Sequence, residues 1–122
     1  MRLVFLFILF FAQLVPAQEE DVNYLALATI LVKDGHYIRA EKVLSKAKLE
    51  DSQKALAQSL RGMIALHKKK YEKAIEHFNK SVSLGIKSKE VYIYLSEAYL
   101  KLKQLDKAQS SLAQVGAKEK EK

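Results

Sequence analysis

Lys70 to Val82 reads KYEKAIEHFNKSV, and an altered copy of it lies one fixed step away on either side. Ala74 and Phe78 have counterparts in Ala40 and Leu44 upstream and in Ala108 and Leu112 downstream. The alanines stand 34 residues apart each time, and the large residue three before each recurs as Tyr37, Tyr71 and Leu105. A constant period of that length signals a stacked array of helical units, none of which buries its apolar side alone.

Composition agrees with that reading. The chain has 122 residues, 49% hydrophobic and 29% charged, which suits one globular unit. Four Gly, one Pro and an abundance of Ala, Leu, Lys, Glu and Gln favour helix, because these side chains lose little rotamer freedom there. An all-α fold is predicted. The absence of cysteine excludes disulfide scaffolds, thiolate zinc sites, thiol nucleophiles and a lipidated cysteine. The formal net charge of +7 draws anionic partners, although lysines on helix surfaces also serve solubility alone.

Three units follow one another, at about 21–51, 52–87 and 88–117, with 118–122 as a charged tail expected to be disordered. In the first, Tyr24, Leu27, Ala28 and Leu31 share a predicted helix face. Lys33-Asp34-Gly35 is a turn signal, and a second helix of about Tyr37–Lys48 presents Ala40, Val43, Leu44 and Ala47. The second unit opens at Asp51-Ser52, either of which caps a helix carrying Leu56, Ala57, Leu60, Gly62, Ile64 and Ala65. Its partner helix, about Tyr71–Leu84, presents Ala74, Ile75, Phe78 and Val82, with Gly85 as C-terminal cap. The third unit shows Tyr92, Leu95, Ser96 and Tyr99, then Ala108, Leu112 and Val115 on a helix ended by Gly116.

On these residues the chain resembles the tetratricopeptide repeat, which runs W-x2-L-G-x2-Y, then A-x3-F, then P over about 34 residues. The first unit reads Tyr24-x2-Leu27-Ala28-x2-Leu31 with Ala40-x3-Leu44, and the second Gln58-x2-Arg61-Gly62-x2-Ala65 with Ala74-x3-Phe78. The third reads Tyr92-x2-Leu95-Ser96-x2-Tyr99 with Ala108-x3-Leu112. The closing proline is missing throughout, Arg61 replaces an apolar residue, and Ser81 and Val115 replace the small alanine that the first unit keeps as Ala47. The resemblance implies a right-handed α-solenoid of three helix-turn-helix repeats, six helices in all. Ala28, Gly62 and Ser96 would face Ala40, Ala74 and Ala108 at close approach, while Leu44, Phe78 and Leu112 fill the wider gaps.

The resemblance also implies that the first helix of each unit lines a groove for an extended or helical peptide. By register that groove is lined by Leu25, Thr29 and Val32, then Ser59, Met63, Leu66 and His67, then Ile93, Glu97, Leu100 and Lys101. The family's clamp for a terminal carboxylate needs Lys and Asn a turn apart, where this chain has Leu25 and Thr29. An amphipathic segment of another protein is therefore the expected occupant, and no cofactor is expected. An uncapped end of the array would permit self-association.

Residues 1–17 read as a signal peptide: Arg2, an apolar run from Leu3 to Phe11 resuming at Leu14 and Val15, then Val15-Pro16-Ala17 before a cut. The run is shorter than the roughly 20 residues a spanning helix needs. Export to a periplasm, a secretory lumen or the exterior is expected, with a retained signal anchor as the alternative. Lys68, Lys69, Lys70 and Lys73 form a basic patch, which either complements a helix C-terminus or binds anionic lipid or polymer; nucleic acid is not expected.

His36, His67 and His77 share no i, i+3 or i, i+4 spacing, so no metal site is expected. No serine elbow, phosphate loop or HExxH motif points to catalysis. Asn79-Lys80-Ser81 fits a glycosylation acceptor, but Ser81 is expected to face inward and the site to stay unmodified.

Overall fold

A computed structural model describes residues 22–120. The signal peptide reading of 1–17 lies outside them. Among the described residues the chain forms six helices: α1 Tyr24–Lys33, α2 Tyr37–Ser45, α3 Asp51–His67, α4 Tyr71–Ser83, α5 Lys89–Lys101 and α6 Leu105–Lys120. Packing is heaviest within the pairs α1/α2, α3/α4 and α5/α6, and each pair then packs on the next. The result is an all-α solenoid of helical hairpins.

The turn inside each hairpin is built the same way three times. Gly35, Lys69 and Lys103, one period apart, all take positive φ, at 80°, 60° and 60°. The following N–H groups of His36, Lys70 and Gln104 donate to Leu31, Ala65 and Tyr99 carbonyls at 2.7, 2.9 and 2.9 Å, closing the helix end by the 6→1 bond of a Schellman turn. Only the first unit uses glycine there. Between the second and third units Gly85 supplies the left-handed residue, with φ 113°.

The starts of the leading helices α1, α3 and α5 follow side-chain chemistry. The Asn23 carboxamide oxygen accepts from the Ala26 N–H at 3.0 Å, and Ser88 Oγ accepts from the Val91 N–H at 3.4 Å. The start of α3 differs from the sequence reading: Glu50 is the N-cap and Asp51 is already helical. The Glu50 N–H donates to Gln53 Oε1 at 3.0 Å, which places the reciprocal pair one residue earlier than Asp51-Ser52 suggested.

The positions expected to approach closely within each hairpin are buried. Ala28, Gly62 and Ser96 are buried against hairpin partners whose Ala40, Ala74 and Ala108 are buried too. At Gly62 the fit leaves no room, since an added Cβ would stand 2.7 Å from Phe78 Cδ1 and Cε1. Phe78 in turn stacks on Tyr94 of α5, with ring centroids 5.7 Å apart. Ser81, where the repeat favours alanine, is fully buried, and its hydroxyl donates to the Ala55 carbonyl at 2.9 Å while accepting from Ser59 Oγ at 3.0 Å. The substitution is tolerated because both hydroxyls are satisfied.

Three expectations are corrected. The buried stripe of α1 is Leu25, Ala28 and Val32; Leu27 is exposed and Tyr24 and Leu31 are half-buried, because the covering surface comes from α3. On α6, Ser111 is buried and Leu112 exposed, since no described helix follows to form a gap for Leu112 to fill. The helix also runs through Gly116 to Lys120 instead of ending at Gly116 ahead of a disordered tail. Ala117 to Lys120 are good helix formers, and Glu119 pairs with Lys89 of α5 at 3.7 Å.

Candidate functional site

The residues assigned to a groove separate by unit. Leu25 and Val32 are core residues, packed with Leu60 and Ile64 of α3, and they line no free surface. Thr29 is half-buried, and its hydroxyl donates to the Leu25 carbonyl at 2.8 Å. Ser59 is likewise withdrawn into its bond with Ser81. Met63 and Leu66 are half-buried beside the core formed by Phe78, Val91 and Leu95. His67 is exposed but stacked on Tyr37 of α2, with centroids 3.9 Å apart, so it ties the first two units together.

On α5 the same register is open. Ile93, Glu97, Leu100 and Lys101 are all exposed. Spaced i, i+4, i+7 and i+8, they form one stripe of the helix, apolar at Ile93 and Leu100 and charged at Glu97 and Lys101. Ile93 and Leu100 are 41% and 49% exposed, whereas their register mates Leu25 and Val32 are 7% and 2% exposed. The stripe that α3 covers on α1 is therefore uncovered on α5. Sequence register located these four residues but did not separate them from the seven on α1 and α3, because coverage by a following helix is a property of the stack.

The four lysines of the basic patch differ in their surroundings. Lys69 holds the left-handed turn, Lys70 precedes α4 as its N-cap, and Lys73 is exposed on the first turns of α4. Lys68 pairs with Glu41 of α2. Together with Leu44, Ser45, Arg61, Ile64, Ala65 and His77, Glu41, Lys68, Lys70 and Lys73 wall a hollow of about 280 Å³. Arg61 and His77 were not assigned to this patch. The legible signal was Arg61 itself, a cation where the flanking units carry Leu27 and Leu95. His77 Nδ1 donates to Gln58 Oε1 at 2.7 Å, and burial holds the imidazole below its ordinary pKa.

No helix among the described residues is long and apolar enough to cross a membrane.

Comparison with known proteins places the fold. Residues 65–121 match the family model for the tetratricopeptide repeat. The second TPR of Spaghetti (RPAP3), solved bound to the HSP90 peptide SRMEEVD, superposes with a TM-score of 0.66 at 22% identity, over 80% of this chain and 90% of that one. No curated protein matches the chain. The two matches support the tetratricopeptide-repeat family, and the six helices form a solenoid of that type.

Proposed function

We propose that the chain is an exported, non-catalytic adaptor that holds an amphipathic helical segment of another protein on the open stripe of α5. The observation that carries this reading is the exposure of Ile93 and Leu100 at the register where Leu25 and Val32 are buried. A partner helix lying there would stand where the next unit's first helix stands elsewhere in the stack, bury both apolar side chains, and meet Glu97 and Lys101 with charges of its own. The half-buried Met63 and Leu66 continue the floor toward α3.

Peptide binding by the solved neighbour supports a peptide-binding use of the fold, but not that neighbour's ligand. Leu25 is core and the Thr29 hydroxyl is spent on its own helix, so the first unit offers no pair of donors for a terminal carboxylate. Export rests on Arg2, the apolar run and Val15-Pro16-Ala17, and sequencing the mature N-terminus tests it: a start at Gln18 agrees, and an intact Met1 rejects cleavage.

The binding test is affinity capture from the exported fraction, washed at low and high salt, with Ile93→Glu and Leu100→Glu as variants. Both positions are exposed, so the variants are expected to keep the wild-type far-ultraviolet dichroism. A protein retained at high salt by the wild type and lost by both variants supports the adaptor. Equal retention by the variants rejects the α5 stripe. If light scattering shows a wild-type dimer that Ile93→Glu converts to monomer, the stripe is occupied by a second copy and the adaptor reading fails.

A further inference from the structure

Opposite the groove register, α3 carries a second surface of different chemistry. At about 100° per residue, Ser59, Met63 and Leu66 point one way and Arg61, Ile64, Ala65 and Lys68 the other. The second set forms one wall of the hollow between α2, α3 and α4. Four basic side chains, Arg61, Lys68, Lys70 and Lys73, face it against the single carboxylate of Glu41. Glu41 is paired with Lys68. Among the described residues, no carboxylate forms an ion pair with Arg61 or Lys70, and Lys73 meets only the longer-range charge of Glu76.

A half-buried guanidinium without a partner is unusual, because its five donors otherwise need water or an anion. The floor is apolar, made by Leu44, Ile64 and Ala65, which lowers the local screening and strengthens any charge pairing inside. The volume, about 280 Å³ against roughly 30 Å³ per water, accommodates one compact oxyanion with its nearest waters.

We propose that the hollow walled by Arg61, Lys68, Lys70, Lys73 and His77 is a binding site for a single phosphate group. Arg61 supplies the planar fork that engages two phosphate oxygens side by side, and the lysines supply point charges from α3, the turn and α4. The ion has two possible sources, free phosphate or a phosphorylated side chain of a partner, and both present anionic phosphate oxygens to the same cations.

His77 reports occupancy. Its Nδ1–H is engaged by Gln58, leaving Nε2 to take a proton when a dianion stands near. Arg61 of α3 and Lys73 and Lys80 of α4 oppose that proton, Glu76 favours it, and Glu41 of α2 and Lys68 face the same hollow. A bound phosphate offsets the cations, so the imidazole pKa rises on binding.

The test is a titration of the full chain with sodium phosphate at constant ionic strength, following the His77 imidazole resonances by nuclear magnetic resonance. Saturable shifts, a raised His77 pKa and a loss of affinity of about tenfold or more in Arg61→Gln are expected. Lys70→Gln, at an exposed position, is expected to weaken binding too and guards against a folding defect in Arg61→Gln. Ile93→Glu is expected to leave phosphate binding unchanged, which separates this site from the α5 stripe. Tighter binding of N-acetyl phosphoserine amide than of phosphate assigns the source to a modified side chain; equal or weaker binding assigns it to the free ion. Shifts that stay linear, or that persist in both charge variants, overturn the site. So does binding confined to vesicles containing phosphatidylserine, which would make the lysines a diffuse patch.

Discussion

Phe78 and Leu112 occupy the same place in their units, yet Phe78 is wholly buried and Leu112 is 48% exposed. The first and third units differ likewise along their leading helices, where Leu25 and Val32 are core and Ile93 and Leu100 are not. Positions that face the partner helix of the same hairpin behave alike in all three units: Ala28 with Ala40, Gly62 with Ala74, and Ser96 with Ala108 are buried throughout. Inside a hairpin, burial is set by sequence neighbours. Between hairpins, it is set by whether another hairpin follows.

The comparison can be broken most forcefully at Phe78. Phe78→Ala removes a ring packed between Gly62 and Tyr94 and is expected to lower unfolding stability by about 3–5 kcal/mol in denaturant melts. A loss below about 1 kcal/mol would mean the two hairpins are not coupled through this ring.

Gly62→Ala probes the other side of the same contact. The new methyl meets the ring at 2.7 Å, so a destabilisation of about 1–3 kcal/mol is expected by the same melt. Ala28 already carries a Cβ at this register and faces Leu44, not an aromatic ring, across its hairpin, so the requirement for glycine is confined to the middle unit.

At the hairpin turns the units are alike in backbone and unlike in residue, and Lys103→Gly exploits this. Relieving a non-glycine residue at φ 60° is expected to raise stability by about 1 kcal/mol, seen as a higher melting temperature. Lys103 fits the test because it does not line the cationic hollow.

The smallest effect is expected at Leu112. Leu112→Ala should stay within about 0.5 kcal/mol of wild type, despite matching Phe78 in register, because the side chain is already half in water. A loss comparable to that of Phe78→Ala would show that something covers α6 in solution.

Most of the architecture was legible in the chain. Ala40, Ala74 and Ala108 at constant spacing marked three second helices, and Gly35 and Gly85 marked turns where left-handed backbone is found. The left-handed Lys69 and Lys103 were not legible, because lysine carries no local preference for that conformation and takes it only when the turn is imposed by packing on both sides. The end of α6 was misread for the opposite reason. Gly116 looked like a stop, but with helix formers beyond it and the Glu119–Lys89 pair the helix continues.

The candidate sites divide in the same way. Register placed Ile93, Glu97, Leu100 and Lys101 on the expected groove, and it placed Leu25, Val32 and Ser59 there as well, where the stack has buried them. The lysine run from Lys68 to Lys73 was visible as charge, but not its convergence with Arg61 and His77, which come from separate turns of α3 and α4.

By itself the sequence determined the period, the helical class, the hairpin contacts and which residues share a helix face. These depend on spacing along one helix or between neighbours in a single hairpin, where geometry is nearly invariant. Only the tertiary structure decided which apolar stripes are core, which is left open at α5, and that a half-buried arginine stands unpaired in a cationic hollow. Those outcomes depend on what packs against a surface from residues far along the chain, and a repeat that looks the same at every step acquires different surroundings at its middle and its end.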